Sequence, residues 1–215
     1  MTGTDQGGRP SVLVLATRNE HKVAELREIL AQTLQRCRME LVGVGDFPGA
    51  QDVVESGVTF AANALLKARA AVRATGLPAL ADDSGLAVDV LGGSPGVFSA
   101  RWSGVGGADR DEANNALLLS QLADVPDEHR GAGFVCAAAL ILPDGTEIVR
   151  EAQVRGSVGR QPRGEGGFGY DPLLVRPDGR TLAQYAPADK HAISHRGAAF
   201  RALSQDVARI FAPAD

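Results

Sequence analysis

The sequence contains little cysteine and no long apolar run. Its two cysteines, Cys37 and Cys136, are far apart, match no zinc-ligand spacing and are too few for a disulfide-rich scaffold. We therefore expect reduced thiols in a cytoplasmic protein. The longest apolar run, residues 134–142, is far shorter than the roughly 18 residues that indicate a membrane-spanning helix. The sequence thus predicts a soluble protein with no membrane partner.

No block of like charge is present either. The chain has 22 Lys and Arg residues against 26 Asp and Glu residues, which gives a net charge of −4. This balance argues against a broad nucleic-acid-binding surface, so we expect no nucleic-acid partner and local binding of any phosphate. Residues 1–10 are polar, with no apolar stretch behind them, and are expected to form a disordered tail. Residues 11–213 contain no repeat or linker and are expected to form one domain.

The hydrophobic pattern predicts alternating strands and helices. Residues 12–16 are typical of a buried strand, and a helix with Thr17 or Asn19 as its N-cap follows. A second helix is predicted from Thr59 to about residue 74, ending at Gly76 and Pro78. The apolar positions that define the first helix are Val23, Leu26, Leu30 and Leu34.

The second half of the chain adds more strands than helices. Residues 79–81 and 86–90 have strand patterns, whereas residues 110–123 have a helical pattern. Residues 132–142 and 147–154 predict an antiparallel hairpin. A last amphipathic helix is predicted with Ser194 as its N-cap, and its apolar positions are Phe200, Leu203, Val207 and Ile210. The expected fold class is α/β with a mixed sheet.

The segment from Thr17 to Lys22 lies where a strand gives way to a helix. Backbone N–H groups and the helix dipole favour an anion at such a position, and Thr17, Asn19 and Lys22 have side chains suited to phosphate. The alternative is an ordinary helix cap with a solvated lysine. The segment alone leaves the two interpretations equally weighted.

A polar stripe runs along the second helix. Thr59, Asn63 and Lys67 follow one another at a spacing of four residues on a helix that is otherwise apolar. Water is the simplest partner for such a stripe. Glu55, just upstream, favours a functional partner instead.

Two adjacent carboxylates follow the predicted strand at residues 79–81. Because successive strand positions point to opposite faces, Asp82 and Asp83 are expected to have different roles. One of them, together with Glu55, would supply the oxygen ligands that Mg²⁺ uses when it bridges substrate phosphates. The alternative is a polar turn capped by Ser84, but the flanking apolar runs favour the functional interpretation.

Two further segments have the chemistry of a nucleotide pocket. Residues 164–172 combine dense glycine with Phe168, Tyr170 and Asp171, so that backbone can approach a flat ligand and a ring can stack on it. The same composition is typical of a mobile loop. The pair His195 and Arg196 would place donors at the start of the last helix, although solvated charges on a capped helix are the simpler interpretation.

Taken together, five segments resemble the inosine triphosphate pyrophosphatase family. They are TRNEHK at 17–22, ESGVTFAANALLKA at 55–68, ADDSGLAVDVLGGSPGVFSARWSG at 81–104, GGFGYDP at 166–172 and SHRGAA at 194–199. The resemblance implies an elongated mixed β-sheet flanked by helices, with two lobes around a central nucleotide-binding cleft. It also implies a homodimer that hydrolyses ITP, dITP and XTP to the monophosphate and pyrophosphate.

The resemblance implies a role for each matching residue. Magnesium would be held by Glu55 and Asp83, with Asp83 as general base and Lys67 and Asp82 as further catalytic residues. The substrate-binding positions would be Thr17, Arg18, Asn19, Glu20, His21, Lys22, Ser84, Phe168, Gly169, Tyr170, Asp171, Lys190, His195 and Arg196. Gln184 departs from the family pattern, in which a Glu is expected, and this affects only a local contact.

Two rival functions follow from the same residues. A regulatory module could bind a nucleotide without hydrolysing it, but carboxylates near a triphosphate are unfavourable unless a metal intervenes. A related pyrophosphatase could act on pyrimidine or modified nucleotides at cell division. The pocket around Phe168 and His195 would distinguish that enzyme from a purine-specific one.

Overall fold

The computed structural model describes residues 11–213, apart from the side chains of His21, Pro187, Ala188 and His191. The expected tail at residues 1–10 and the predicted role of His21 therefore lie outside the described residues. Within this range the chain is α/β, with a mixed sheet flanked by helices, as the sequence predicts. The strands are β1 (Ser11–Leu15), β2 (Met39–Gly43), β3 (Ala79–Val88), β4 (Gly131–Ile141), β5 (Glu147–Val158) and β6 (Leu174–Val175). The helices are α1 (Glu20–Cys37), α2 (Phe60–Thr75), α3 (Arg110–Gln121), α4 (Pro187–Ile193) and α5 (His195–Phe211).

The six strands form one sheet in the order β2-β1-β3-β4-β5-β6. The pairs of β1 with β2 and with β3 are parallel, whereas β3, β4, β5 and β6 pair antiparallel to one another. The predicted hairpin is confirmed as β4 and β5, and its pairing extends from Ile141 opposite Glu147 to Gly131 opposite Ser157. The long central strands β3 and β4 form the platform on which the site is built.

Two predicted helix caps are confirmed, Asn19 and Ser194, and the second helix begins at Phe60, one residue after the predicted start at Thr59. The Asn19 side chain accepts a hydrogen bond from the Lys22 backbone N–H at the start of α1, and Thr59 and Ser194 cap α2 and α5 in the same way. Gly76 ends α2 at φ 70°, a left-handed conformation that glycine adopts without steric cost. These caps fix where each helix begins relative to the strand before it. None of the helices within residues 11–213 combines the length and apolarity needed to cross a membrane.

One strand prediction was wrong in its bounds. Residues 79–81 and 86–88 belong to a single strand, β3, which runs through both carboxylates and ends at Val88. Val90 instead lies in a 3₁₀ turn and is 49% exposed. The strand continues through the polar pair because Asp82 and Asp83 are paired with Ala138 and Ala137 of β4, so their backbone groups stay in the ladder.

Helices cover both faces of the sheet. Strand alternation turns Leu80 towards α1 and α5, and turns Ala81 towards α2. The predicted apolar positions of α1 are all buried, as are Phe200, Leu203 and Val207 of α5, whereas Ile210 is 37% exposed. A separate apolar cluster joins α3 to the ends of β3 and β4 and to the segment around Tyr170. The sheet thus separates two packed faces just where β3 carries its polar residues.

Candidate active site

Asp82 lies on the face of β3 that is covered by α1 and α5. Asp82 is buried, and its carboxylate forms ion pairs with Lys22 Nζ at 2.7 Å and with Arg196 Nε at 3.3 Å. Burial alone would raise the pKa of Asp82, but Lys22 and Arg196 outweigh it and hold that pKa well below its usual range. Asp82 is therefore a permanent anion that anchors two cations.

Asp83 lies on the opposite face, against α2. Asn63 Nδ2 donates to Asp83 Oδ2 at 3.0 Å, and Lys67 Nζ donates to Asp83 Oδ1 at 3.3 Å. The same ammonium donates to Glu55 Oε1 at 2.7 Å. The polar stripe of α2 thus has protein partners rather than water alone, and it gathers two carboxylates around one lysine.

The ionisation of this cluster follows from its burial. Burial raises the pKa of Asp83, although Lys67 and the hydrogen bond from Asn63 oppose the shift. For Lys67, burial favours the neutral amine, but the charges of Asp83 and Glu55 outweigh it and raise the pKa. The result is a protonated lysine beside a carboxylate whose proton affinity is enhanced, which suits proton transfer.

The turn before α1 lies near this cluster. Thr17 and Arg18 line the same cavity as Glu55 and Lys67. Arg18 Nε donates to Asp52 Oδ1 at 3.0 Å, so this side chain bridges to the loop that leads to Glu55. Of the other residues in the predicted phosphate segment, Asn19 and Glu20 are exposed, and the Lys22 ammonium is directed at Asp82.

A second cavity opens on the Asp82 face of the sheet. Ser84, directly after Asp83 in the chain, contributes to its wall, and so do four aromatic residues. The rings are those of Phe134, Phe168, Tyr170 and His195. Polar groups of Glu25, Lys190 and Arg196 also reach it. An apolar cavity with a few convergent polar groups is the usual form of a site for a flat organic ligand.

His195 and Arg196 enter this cavity from the first turn of α5. The imidazole stacks on Phe134 with ring centroids 4.9 Å apart and planes 11° apart. Burial, aided by the charge of Arg196, lowers the pKa of His195 to about 3, so the ring is neutral at physiological pH. Its Nδ1 is buried and has no hydrogen-bond partner among the described residues. A ligand could therefore supply that partner.

Arg196 is more constrained than the sequence suggests. Its Nε faces Asp82, its Nη1 lies 3.3 Å from Glu25 Oε2, and its Nη2 donates to Ser84 Oγ at 3.4 Å. The guanidinium is therefore buried, and its distances of 3.3 to 3.4 Å to these protein acceptors are long for hydrogen bonds. It does not project from the surface as a free donor. These contacts orient it towards the cavity that Ser84 and Glu25 also line.

The glycine-rich loop contributes residues 168–171 to the lining of this cavity. The Phe168 backbone N–H donates to Asp171 Oδ2 at 2.9 Å, and Lys190 Nζ pairs with the same carboxylate at 2.5 Å. The Phe168 ring is 61% exposed, with the Lys190 ammonium 5.3 Å from its centroid. Tyr170 is buried instead, and its hydroxyl donates to the Ser99 carbonyl at 3.0 Å. Of the two predicted aromatics, Phe168 is thus the one with a free face.

Sequence reasoning missed some of the residues that reach the site. Glu25 reaches the aromatic cavity, and its position three residues after Lys22 on α1 was the available signal. Asn63 was noted only as part of a stripe, yet it is fully buried against Asp83. Gln184, the residue that departs from the family pattern, accepts through its Oε1 from the Thr181 backbone N–H at 2.9 Å.

Metal-ligating side chains converge at few places in the described part of the chain. Within residues 11–213, no group of three or more His, Cys, Asp and Glu side chains is arranged to hold a metal ion. Glu55 and Asp83 do converge, since both contact Lys67 Nζ. Such a pair fits a hard cation that takes its remaining ligands from phosphate oxygens and water.

Comparisons with known proteins agree with this geometry. The chain is 61% identical over 193 residues to a dITP/XTP pyrophosphatase of Streptomyces avermitilis, covering 89% of this chain and 94% of the relative. It is 53% identical over 192 residues to a dITP/XTP pyrophosphatase of Mycobacterium tuberculosis, covering 89% and 92%.

Solved structures share the fold. A HAM1 protein from Coxiella burnetii superposes with a TM-score of 0.84 at 38% identity, covering 93% of this chain and 99% of that one. A nucleoside-triphosphatase, also named dITP/XTP pyrophosphatase, from Mycobacterium abscessus gives a TM-score of 0.75 at 51% identity, covering 89% and 98%. The model of the Ham1 family matches residues 13–206. Since these matches extend over most of the chain and of its relatives, the chain belongs to the Ham1 family.

Proposed function

We propose that this Ham1-family chain hydrolyses non-standard purine nucleoside triphosphates, namely ITP, dITP and XTP, to the monophosphate and pyrophosphate. The relatives named dITP/XTP pyrophosphatase support this function over nearly the whole chain. Removal of deaminated purines from the nucleotide pool is the biological consequence.

One relationship within β3 carries the proposal. Asp83 faces the cluster of Lys67, Asn63 and Glu55, whereas the next residue, Ser84, lines the aromatic cavity. A nucleotide has a polyanionic end and a flat apolar end. The two sites lie on opposite faces of β3 at adjacent residues, where β1 no longer pairs with β3 beyond Leu80. A nucleotide that passes over this open edge would place its phosphates at the carboxylate and lysine cluster and its base in the aromatic cavity.

The chemistry of the phosphate end follows from the charges. We assign Asp83 as the base that accepts a proton from water, while Lys67 and Lys22 steady the charge of the phosphate chain. Attack of that water at the α-phosphorus breaks the bond to the oxygen that bridges to the β-phosphorus, and pyrophosphate leaves. Phosphoryl transfer depends mainly on positioning and electrostatic stabilisation, which these side chains can supply.

Magnesium is the proposed cofactor, held by Glu55 and Asp83. When bound, it would neutralise phosphate oxygens that otherwise repel the two carboxylates. Lys67 holds these two carboxylates close together, because its ammonium contacts both. Thr17 and Arg18 are the proposed contacts for the phosphates on the other side of the same cavity.

The base end is proposed to bind in the aromatic cavity. Phe168 offers an exposed ring for stacking, and the neutral His195 and the buried Arg196 offer polar groups. Hypoxanthine and xanthine present an O6 acceptor and an N1–H donor, whereas adenine presents the reverse. Each unpaired buried group costs about 1–3 kcal/mol, so two mismatches would disfavour ATP by a hundredfold or more. Exclusion of GTP would have to come from the shape of the cavity around the 2-amino group.

Pyrophosphate release tests the function directly. The purified chain is incubated with ITP, dITP, XTP, GTP, ATP and dTTP, each with Mg²⁺ and with EDTA, and pyrophosphate and orthophosphate are measured separately. We expect pyrophosphate from ITP, dITP and XTP with Mg²⁺ only. Equal rates on ITP and dTTP would favour the pyrimidine-directed rival, binding without turnover would favour a regulatory module, and EDTA-resistant turnover would contradict the metal assignment.

We further propose a homodimer that works in the cytoplasm without nucleic-acid or membrane partners. The dimer rests on the family resemblance, and light scattering coupled to gel filtration measures it. Cys37 and Cys136 are both buried and unbridged, which suits a reducing compartment.

A further inference from the structure

Helix α3 has a polar face in an unusual place. Asp111, Asn114 and Asn115 are spaced three and four residues apart, so they lie on one face of the helix. Asn114 and Asn115 are 2% and 8% exposed. A buried helix face is normally apolar, because polar groups there cost free energy unless they are hydrogen-bonded. No role in the proposed chemistry accounts for these three residues.

The polar face bonds to backbone around the aromatic cavity. Asp111 Oδ2 accepts from the Gly169 N–H at 2.7 Å, and Asn115 Nδ2 donates to the Gly169 carbonyl at 3.0 Å. The N–H and the carbonyl of Gly169 are therefore both bonded to side chains of α3. Asn114 Nδ2 donates at 3.2 Å to the Ser99 carbonyl, the same oxygen that accepts from the Tyr170 hydroxyl.

These contacts determine the position of Phe168. Gly169 has φ 61°, a left-handed conformation, within a turn that the Asp171 N–H closes by donating to the Phe168 carbonyl at 3.3 Å. On the preceding side, the Phe168 N–H is fixed by Asp171. On the following side, the N–H and carbonyl of Gly169 are held additionally from outside the loop, by Asp111 and Asn115. With both ends held, the Phe168 ring is kept near the cations of Lys190 and Arg196, 5.3 Å and 5.7 Å from its centroid.

We propose that Asp111 and Asn115 are positioning residues that set nucleobase specificity by holding the Gly169 peptide groups, and with them the Phe168 ring, in the orientation that a purine requires. The inference rests on the proposed function for the identity of the substrate. It adds a determinant on α3, outside every segment that resembles the inosine triphosphate pyrophosphatase family. The role is one of orientation, since neither residue is assigned to the reacting phosphates.

The test compares the variants Asp111→Ala, Asp111→Asn and Asn115→Ala with the unsubstituted chain. Asp111→Ala removes the acceptor for the Gly169 N–H, whereas Asp111→Asn keeps an oxygen there and loses only the charge that pairs with Arg110. Glu112→Ala is the matched control, because Glu112 is an exposed carboxylate in the same first turn of α3. It reproduces the loss of one charge near the helix N-terminus without touching the loop.

We expect Asp111→Ala and Asn115→Ala to raise KM for dITP about tenfold, the usual effect of one lost hydrogen bond to a charged or buried group, with kcat within about twofold of the unsubstituted chain. The preference in kcat/KM for dITP over dATP should fall by a similar factor. Hydrogen exchange at the Gly169 amide, followed by NMR, should accelerate in Asp111→Ala. Asp111→Asn should keep KM, the preference and the exchange rate close to those of the unsubstituted chain, and Glu112→Ala should leave all three unchanged.

Two results would overturn the inference. One is an unchanged KM and an unchanged preference in Asp111→Ala and Asn115→Ala. The other is an equal loss of kcat/KM for dITP and dATP, which would indicate a purely structural role. If the unsubstituted chain fails to release pyrophosphate from dITP, the proposed function falls instead. In that case, calorimetry measures the Kd values of IMP and AMP for the same variants. The inference then requires the ratio of the AMP Kd to the IMP Kd to fall about tenfold in Asp111→Ala and Asn115→Ala.

Discussion

Asp82 and Asp83 are adjacent in β3 yet bind cations on opposite faces of the sheet: Asp82 pairs with Lys22 at 2.7 Å, and Asp83 pairs with Lys67 at 3.3 Å. The first carboxylate joins α1 and α5 to the sheet, and the second belongs to the cluster proposed to act on phosphate. Substitution of these two neighbouring aspartates is therefore expected to have different effects, on stability for Asp82 and on turnover for Asp83.

Replacing Asp83 with Asn should lower kcat for dITP by about a thousandfold, because the amide cannot accept the proton of the attacking water. The free energy of unfolding should change by no more than about 1 kcal/mol, since Glu55 remains as a partner of Lys67. Steady-state kinetics and urea denaturation measure the two quantities. Retention of a tenth of the activity would refute the assignment of Asp83 as base.

Replacing Asp82 with Asn should mainly destabilise the fold. Lys22 and the buried Arg196 would lose a common anion, and removing one partner of a buried ion pair costs about 3–5 kcal/mol. The midpoint of urea unfolding at pH 7 measures this loss. A cost below about 1 kcal/mol would mean that the buried pair is not structural.

The stability of the protein should depend on pH through His195. The folded-state pKa of about 3 lies below the unfolded value of about 6.5, so the unfolded chain binds the proton first as pH falls. The stabilisation is thus fully present above about pH 6.5 and declines towards pH 3. The free energy of unfolding should therefore fall by about 2 kcal/mol from pH 7 to pH 5, since the limiting slope is about 1.4 kcal/mol per pH unit.

The comparison with His195→Gln isolates this contribution, because glutamine is polar but does not titrate. Urea unfolding at pH 7, 6 and 5 should show a steeper decline for the unsubstituted chain than for the variant. Parallel declines for the two proteins would mean that His195 is protonated in the folded state.

Phe168 should contribute to substrate binding and little to the chemical step. Its exposed ring is the proposed stacking surface, and loss of one base-stacking contact costs about 1–3 kcal/mol, so Phe168→Ala should raise KM for dITP about 10- to 100-fold. Phe168→Tyr keeps a ring and serves as the control, with a KM within about threefold of the original. Initial-rate kinetics separate KM from kcat, and a fall in kcat alone would contradict the stacking role.

Gly85 should not tolerate a side chain. A Cβ at this position would collide with the Ser99 hydroxyl and would lie 2.6 Å from the Gly96 carbonyl oxygen, which is backbone and cannot rotate away. We expect Gly85→Ala to cost about 1–3 kcal/mol in unfolding free energy. Gly49→Ala is the matched control, because nothing lies within 4 Å of its Cβ. Equal stability of the two variants would show that β3 and the 96–101 segment can separate without cost.

The local elements were largely predictable. The apolar spacing of α1 and α5 and the caps at Asn19 and Ser194 are properties of short segments, and the structure confirms them. The opposite orientations of Asp82 and Asp83 also followed from the two-residue period of a strand. Where prediction was wrong, at the end of β3, the pairing with β4 decided how far the strand extends.

The sequence by itself determined the local elements, the opposed carboxylates of β3 and the family resemblance, because each depends on residues close together in the chain or on their order. Only the tertiary structure decided which groups meet across long separations. Glu25 reaches Arg196, and Asn115 reaches the Gly169 carbonyl, across more than 50 residues of chain in each case. No local pattern encodes such contacts, since they arise from the packing of α1, α3 and α5 around one sheet, and that packing determines which charges are buried together.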